Sequence, residues 1–242
     1  VVTVSNGDRH VFRFFVDAIG TVGARLPLTE LDRRHGEVLR LGDGDRIELV
    51  DAARIVWDAT WVTGGVVELV AQRHAGIEPI TIELYAGALT GNRFDVLVDG
   101  AVQAGATSIA PVVTSRRDGE RLAARIERLQ RVAAAAARQS KRTIVPSIEQ
   151  PVVVAELPAG PGIVLDPAAP STLDSVFRSS RQHGVSHPIR LLVGGSDGLD
   201  AMVVDRLVAA GWHRGRLGPT ILRSELAAPV AVAVAAMLVP QV

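Results

Sequence analysis

Leu191-Leu192-Val193-Gly194-Gly195-Ser196-Asp197-Gly198 is an apolar run that breaks into glycines. It predicts a buried strand entering a tight turn. About twenty residues later, Leu217-Gly218-Pro219-Thr220-Ile221-Leu222-Arg223-Ser224-Glu225 reads as a second short strand, turn and helix start. Glycine lets main-chain groups approach a ligand with no Cβ in the way. Two such loops point to a site that grips its ligand through backbone atoms. Alone, the first loop is an incomplete dinucleotide fingerprint. That motif opens a first βα unit, with an acidic residue about twenty positions on, whereas this turn lies late in the chain. A nucleotide-binding oxidoreductase is therefore the weaker alternative.

Working outward, the second half alternates strands and helices. Ile80 to Ala86, Ser108 to Val113, Gly162 to Leu165, Ile189 to Val193 and Arg216-Leu217 are strand candidates. Helices are predicted over Asn92 to Ala104, Asp118 to Gln139 as one long helix, Thr172 to Gln182, Asp200 to Ala210 and Ser224 to Leu238. Such alternation implies α/β architecture, a mainly parallel sheet covered by helices. The character changes near Ile77-Glu78-Pro79. Before it, Val11 to Val16, Arg46 to Val50, Ile55 to Thr63 and Val66 to Ala71 are β-prone. One helix, Leu28 to Leu39 with Thr29 as N-cap, interrupts them. Many short strands and one helix predict a small barrel.

The chain has 242 residues, 48% of them hydrophobic, which is enough for a sizeable core. Its formal net charge is zero, so no global polyanion signature is present. Lys141 is its one lysine and arginine carries every other positive charge. Arginine suits bidentate phosphate contacts and stacking on bases. With no cysteine, disulfides, thiolate zinc sites and a cysteine nucleophile are excluded. His183 and His187 are four apart, but Gly184 and Pro188 argue against a shared helical face, so no metal site is expected. No apolar run is long enough to span a membrane and no signal peptide opens the sequence, so a soluble cytoplasmic protein is expected.

Read together, these segments resemble the bacterial 16S ribosomal RNA uridine-N3 methyltransferases of the SPOUT superfamily. The resemblance runs from Arg13-Phe14-Phe15-Val16 onward, with residues 1–12 as an extension. It includes Arg34-His35-Gly36-Glu37-Val38-Leu39-Arg40 followed by Gly42-Asp43-Gly44-Asp45. Arg138-Gln139-Ser140-Lys141-Arg142 with Val145-Pro146, and Leu165-Asp166-Pro167, also match. Leu217 to Glu225 is the most specific match. Departures from the family pattern fall at Thr90, Gly100, Gln103, Glu37 and Pro229. In the glycine loop, Gly195 stands for proline, Ser196 for glutamate and Asp197 for glycine, and Asp197 is a candidate stand-in for the glutamate.

The resemblance implies a PUA-like β-barrel RNA-binding domain over residues 1–76. It implies a SPOUT methyltransferase domain with a deep trefoil knot over residues 77–242. The implied cofactor, S-adenosylmethionine, would be held by Leu165, Asp166, Pro167, Val193, Gly194, Gly195, Gly198, Leu217, Gly218, Ile221 and Leu222. Arg223 and Glu225 are the implied catalytic residues, Arg223 for charge on the uracil oxygens and Glu225 as its orienter or proton acceptor. Ser224 reads as an N-cap. Arg13, Arg40, Arg93, Arg116, Arg138, Gln139 and Arg142 are candidate RNA contacts. The implied partners are 16S ribosomal RNA or the small ribosomal subunit and a second copy of the chain, with no membrane and no metal. The competing reading is a non-catalytic RNA- or ribosome-binding paralogue with an altered cofactor loop.

Overall fold

The computed structural model describes residues 11–73, 80–181 and 188–238. The expected boundary at residue 76, the His183/His187 pair and nearly all of the N-terminal extension lie outside them. The chain divides into two compact units: Val1–Ile77 with Lys141–Ile144, and Glu78–Ser140 with Val145–Val242. The short segment Lys141–Ile144 thus belongs with the N-terminal residues, which a single boundary in sequence does not anticipate.

In the first unit, β1 (Arg13–Phe15), β2 (Arg25–Pro27), α1 (Glu30–Val38), β3 (Arg46–Val50), β4 (Val56–Val62) and β5 (Val66–Gln72) follow in order. The strands form a five-stranded sheet ordered β1-β3-β4-β5-β2. Strand β2, too short to show in the pattern, is the element of this unit not foreseen. Thr29 caps α1, its hydroxyl accepting the Asp32 amide at 3.2 Å. Alternate residues of β3 to β5 turn Ile47, Leu49, Trp57, Trp61, Val67 and Leu69 onto Phe14. Asp51 closes this unit's turns. Its carboxylate accepts the Gly20 amide, the Ile55 amide and the Trp57 indole at 3.0, 2.9 and 3.0 Å.

The second unit begins with β6 (Ile82–Gly87), α2 (Arg93–Ala104), β7 (Ser108–Val113), α3 (Arg116–Ala123), α4 (Ile126–Gln139), β8 (Ser147–Ile148) and β9 (Val152–Val153). A 3₁₀ turn at Val154–Glu156 leads to β10 (Gly162–Leu165), α5 (Leu173–Arg181), β11 (Ile189–Val193), α6 (Ala201–Ala209), β12 (Trp212–Gly215) and α7 (Ser224–Leu238). All seven strands pair in parallel, in the order β12-β10-β11-β6-β7-β8, with β9 also on β7. Strands of a covered parallel sheet are apolar on both faces, and Leu191, Leu192 and Val193 of β11 are all buried.

Two expectations are corrected. The long helix predicted over Asp118 to Gln139 is two helices, broken at Ala124-Arg125, where the Arg125 amide bonds back to the Leu122 carbonyl at 2.9 Å. The strand expected at Arg216-Leu217 lies earlier, at Trp212–Gly215. Arg216 makes only an isolated bridge to Thr172. Trp212, 2% exposed, anchors that edge strand.

Candidate functional site

Parallel registration decides where the loops emerge. Gly215, Leu165 and Val193 stand opposite one another across β12, β10 and β11, and Val193 stands opposite Ala86 of β6. The segments leaving these strands therefore lie side by side at the carboxyl edge of the sheet, where ligands of open α/β sheets bind. They enclose a cavity of about 680 Å³, within the range of small-molecule sites.

All eleven residues expected to hold the cofactor line this cavity: Leu165, Asp166, Pro167, Val193, Gly194, Gly195, Gly198, Leu217, Gly218, Ile221 and Leu222. Arg223, Glu225 and Arg93 line it too. Leu199, Val204 and Ala227, which sequence reasoning missed, add lining, as do Ser196, Arg216 and Thr220. Asp197, between Ser196 and Gly198 of the same turn, does not line the cavity.

The glycine loop sits against backbone. A Cβ on Gly87, at the end of β6, would fall 2.1 Å from the Gly195 nitrogen, and one on Gly194 would fall 2.7 Å from the Gly198 carbonyl carbon. Gly198 has φ +78 and its amide bonds to the Gly195 carbonyl at 3.1 Å, closing the turn. Ser224 ties the turn to the second loop, its hydroxyl donating to the Gly195 carbonyl at 2.9 Å. This corrects the N-cap reading of Ser224. The Arg223 carbonyl accepts the Ala227 amide, so Arg223 occupies the cap and Ser224 is the first helical residue. Pro229, inside α7, removes the amide that would bond to the Glu225 carbonyl on the cavity wall.

The charged residues of the wall divide by partner. Asp166 is engaged. It takes Arg214 through Nε at 2.8 Å and accepts the Ala168 amide at 2.8 Å, so its carboxylate braces the loop. Arg216 donates to the Ala169 and Pro170 carbonyls at 2.7 and 2.5 Å. Arg93 donates to the hydroxyls of Thr90 and Ser196 at 2.9 and 3.0 Å. Among the described residues, Arg223 and Glu225 make no side-chain hydrogen bond or ion pair, and Arg223 is exposed. A guanidinium and a carboxylate two residues apart thus stand at the start of α7 with no side-chain partner among the described residues.

The remaining RNA candidates scatter. Arg13 is buried, 8% exposed, and its guanidinium is consumed inside the first unit by Glu48 at 2.9 Å and by the carbonyls of Lys141 and Arg142. This corrects its reading as a surface contact: a phosphate cannot reach it. Burial pushes the Arg142 guanidinium down to about 10. Arg40 and Gln139 are exposed and Arg138 is half-buried. Arg116 is exposed and pairs with Glu156 at 3.0 Å. Among the described residues no group of side chains could hold a metal ion, and no helix is long and apolar enough to cross a membrane.

Comparison with known proteins agrees with this geometry. The family described as RNA methyltransferase domain matches residues 77–236. Ribosomal RNA small subunit methyltransferase E of Synechocystis sp. is 28% identical over 206 residues, covering 81% of this chain and 67% of that protein. The crystal structure of ribosomal RNA small subunit methyltransferase E from Neisseria gonorrhoeae, bound to S-adenosyl methionine, superposes with a TM-score of 0.76 at 25% identity. That alignment covers 94% of this chain and 97% of the other. A Legionella pneumophila structure, 24% identical with a TM-score of 0.78, covers 93% of this chain and 97% of its own and shares the fold.

Proposed function

This chain belongs to the RNA methyltransferase domain family, and from that premise we propose that it is an S-adenosylmethionine-dependent methyltransferase acting on N3 of a uridine in small-subunit 16S ribosomal RNA. The observation that carries the reading is the cavity at the carboxyl edge of the sheet, walled by three loops, with Arg223 and Glu225 on it and without a side-chain partner among the described residues. The cavity suits the cofactor. Its glycine loop offers main-chain groups at close range, and apolar Leu165, Val193, Leu217 and Leu222 flank them.

The cofactor supplies an electrophilic sulfonium methyl group. The protein's own work is orientation, charge and the proton. Loops 165–167, 193–198 and 217–222 hold one reactant in place, and in-line placement supplies much of the rate. Arg223 faces the uracil oxygens, where negative charge grows as the N3 proton departs. The Glu225 carboxylate orients that guanidinium or takes the proton. N3 lies on the Watson–Crick edge, so the target base must be unpaired or flipped out.

The same reading assigns residues 1–76 as a PUA-like barrel that holds RNA, and residues 77–242 as a SPOUT domain whose threaded loops form a trefoil knot. It brings in a homodimer, the cytoplasm, and Arg40, Arg116, Arg138, Gln139 and Arg142 as RNA contacts. The test is nucleoside mass spectrometry of small subunits lacking the modification, after incubation with the protein and S-adenosylmethionine. The expected result is one N3-methyluridine. Cofactor binding with no methyl transfer would leave the non-catalytic paralogue.

A further inference from the structure

Two arginines of the second unit meet at the first turn of α2, whose first residue, Arg93, lines the cavity. Asp95, in the first turn of α2 and 8% exposed, receives two guanidinium groups. Arg125 reaches one carboxylate oxygen at 3.1 Å and Arg128 the other at 2.5 Å. Arg125 also donates to the Gly91 carbonyl at 2.9 Å. Two residues along is Arg93, on the cavity wall, whose guanidinium meets only the hydroxyls of Thr90 and Ser196 among the hydrogen bonds and ion pairs described.

The charge there is not balanced. One carboxylate faces two guanidinium groups, and Arg93 adds a third. The side chains of Arg125 and Arg128 remain 29% and 59% exposed. Residues 116–138 carry seven arginines against three acidic residues, in a chain whose charges sum to zero overall. Holding a flexible side chain in place beforehand reduces the entropy lost on binding, and a guanidinium matches a phosphate with two parallel donors.

We propose that Arg93, Arg125 and Arg128 form a phosphate track that delivers single-stranded RNA to the cavity, with Asp95 as the positioning residue beneath it. The proposal rests on the RNA methyltransferase reading and adds where the strand flanking the target base runs. The occupant is single-stranded because the reacting edge must be free of pairing.

The test is binding of a fluorescein-labelled, uridine-containing single-stranded oligoribonucleotide to the full chain over a range of KCl concentrations. Each phosphate contact contributes about 0.7 to the slope of log affinity against log salt. Arg128→Gln lowers the slope by about 0.7 and the Arg93→Gln/Arg128→Gln pair by about 1.4. Arg128→Lys keeps the charge and restores most of the slope. Arg128→Gln leaves Asp95 paired with Arg125, so the fold is preserved, which calorimetry with S-adenosylhomocysteine checks. Arg178→Gln, an exposed change on α5, leaves the slope alone. A wild type that transfers methyl groups while the variants keep its slope overturns the track. So does a changed sedimentation coefficient with RNA binding intact, which assigns the face to a second copy. A wild type that binds the RNA with the predicted slopes but never methylates sinks the enzyme reading and leaves the track standing.

Discussion

Gly87→Ala tests the cavity wall from behind, at a residue that does not itself line it. The new Cβ would lie 2.1 Å from the Gly195 nitrogen and 2.7 Å from the Gly194 carbonyl carbon and the Gly195 Cα. A real contact needs roughly 3.0 Å, so the Gly195 amide must retreat by about 0.9 Å. These neighbours are main chain and cannot swing aside. The whole turn moves, against the Ser224 bond at 2.9 Å and the Arg93 bond at 3.0 Å that hold it. Overpacking of this kind costs about 1–3 kcal/mol. If the turn grips the cofactor through its backbone, the alanine opposes the position that the ligand requires. Affinity for S-adenosylhomocysteine then falls by about 5- to 150-fold. The melting temperature falls by roughly 2–12 °C. Titration calorimetry and differential scanning calorimetry on the same preparation give both numbers. A lowered melting temperature with an unchanged dissociation constant would refute the reasoning, since the turn would then be packing and not a wall.

Three other outcomes follow from the same geometry. Ser224→Ala removes the bond to the Gly195 carbonyl and costs about 1 kcal/mol, read as a roughly fivefold loss of cofactor affinity and a melting temperature lower by about 2–4 °C. Arg223→Gln lowers kcat by about 10²–10³ if the guanidinium meets charge only in the transition state, with calorimetric cofactor affinity preserved. A weakened cofactor and a normal kcat would move Arg223 to the binding wall. In the first unit, burial pushes Glu48 up, but Lys141 and Arg13 pull its pKa below the usual carboxylate range. A depressed folded-state value means the stabilisation is complete above the unfolded pKa of about 4.3 and is lost as pH falls through the folded value. Urea melts of the wild type should therefore lose stability below about pH 4. Glu48→Gln, which leaves Arg13 buried without its counter-ion, should cost about 3–5 kcal/mol at neutral pH and flatten that acid limb. A wild-type profile flat down to pH 3 contradicts the ion-pair reading.

Strands and helices with a clear period were legible from residues alone. β3, β7, β10 and β11 fall on their expected spans because each is an apolar run bounded by turn residues. The break between α3 and α4 was not legible. Leu122, Ile126, Leu129 and Ala133 continue one buried stripe across it, and no glycine or proline marks it. At the break Arg125 reaches Gly91 and Asp95, partners on other elements. The burial of Arg13 was hidden for the same reason: its partners Glu48 and Lys141 are distant in sequence. The cavity loops were legible because glycine at a strand end carries a local meaning. What Asp166 does was not, since its partner Arg214 comes from a neighbouring strand that the pattern had placed later.

The departures from the family pattern gain meaning from where they touch. Thr90 and Ser196, each a neutral hydroxyl where the pattern expects a charged side chain, share one partner in Arg93. A lysine and a glutamate there would satisfy one another. Two hydroxyls leave a third residue to bridge them, and the guanidinium that does so has no carboxylate among its described partners. Gly100 and Pro229 form a second pair. A Cβ at Gly100 would lie 2.7 Å from the Pro229 ring, so the small residue on α2 makes room for the proline in α7. That proline sits one turn after Glu225, whose carbonyl it leaves without its helical amide. Changes that look like separate losses in sequence are therefore two contacts, one at the mouth of the cavity and one behind its charged wall. Arg93→Ala should then loosen the 194–198 turn as well as remove a phosphate contact, whereas Arg128→Gln removes a charge and its pair with Asp95 but no contact to that turn. Hydrogen exchange of the Ser196 to Gly198 amides separates the two effects. Equal protection in both variants would mean that Arg93 does not brace the loop.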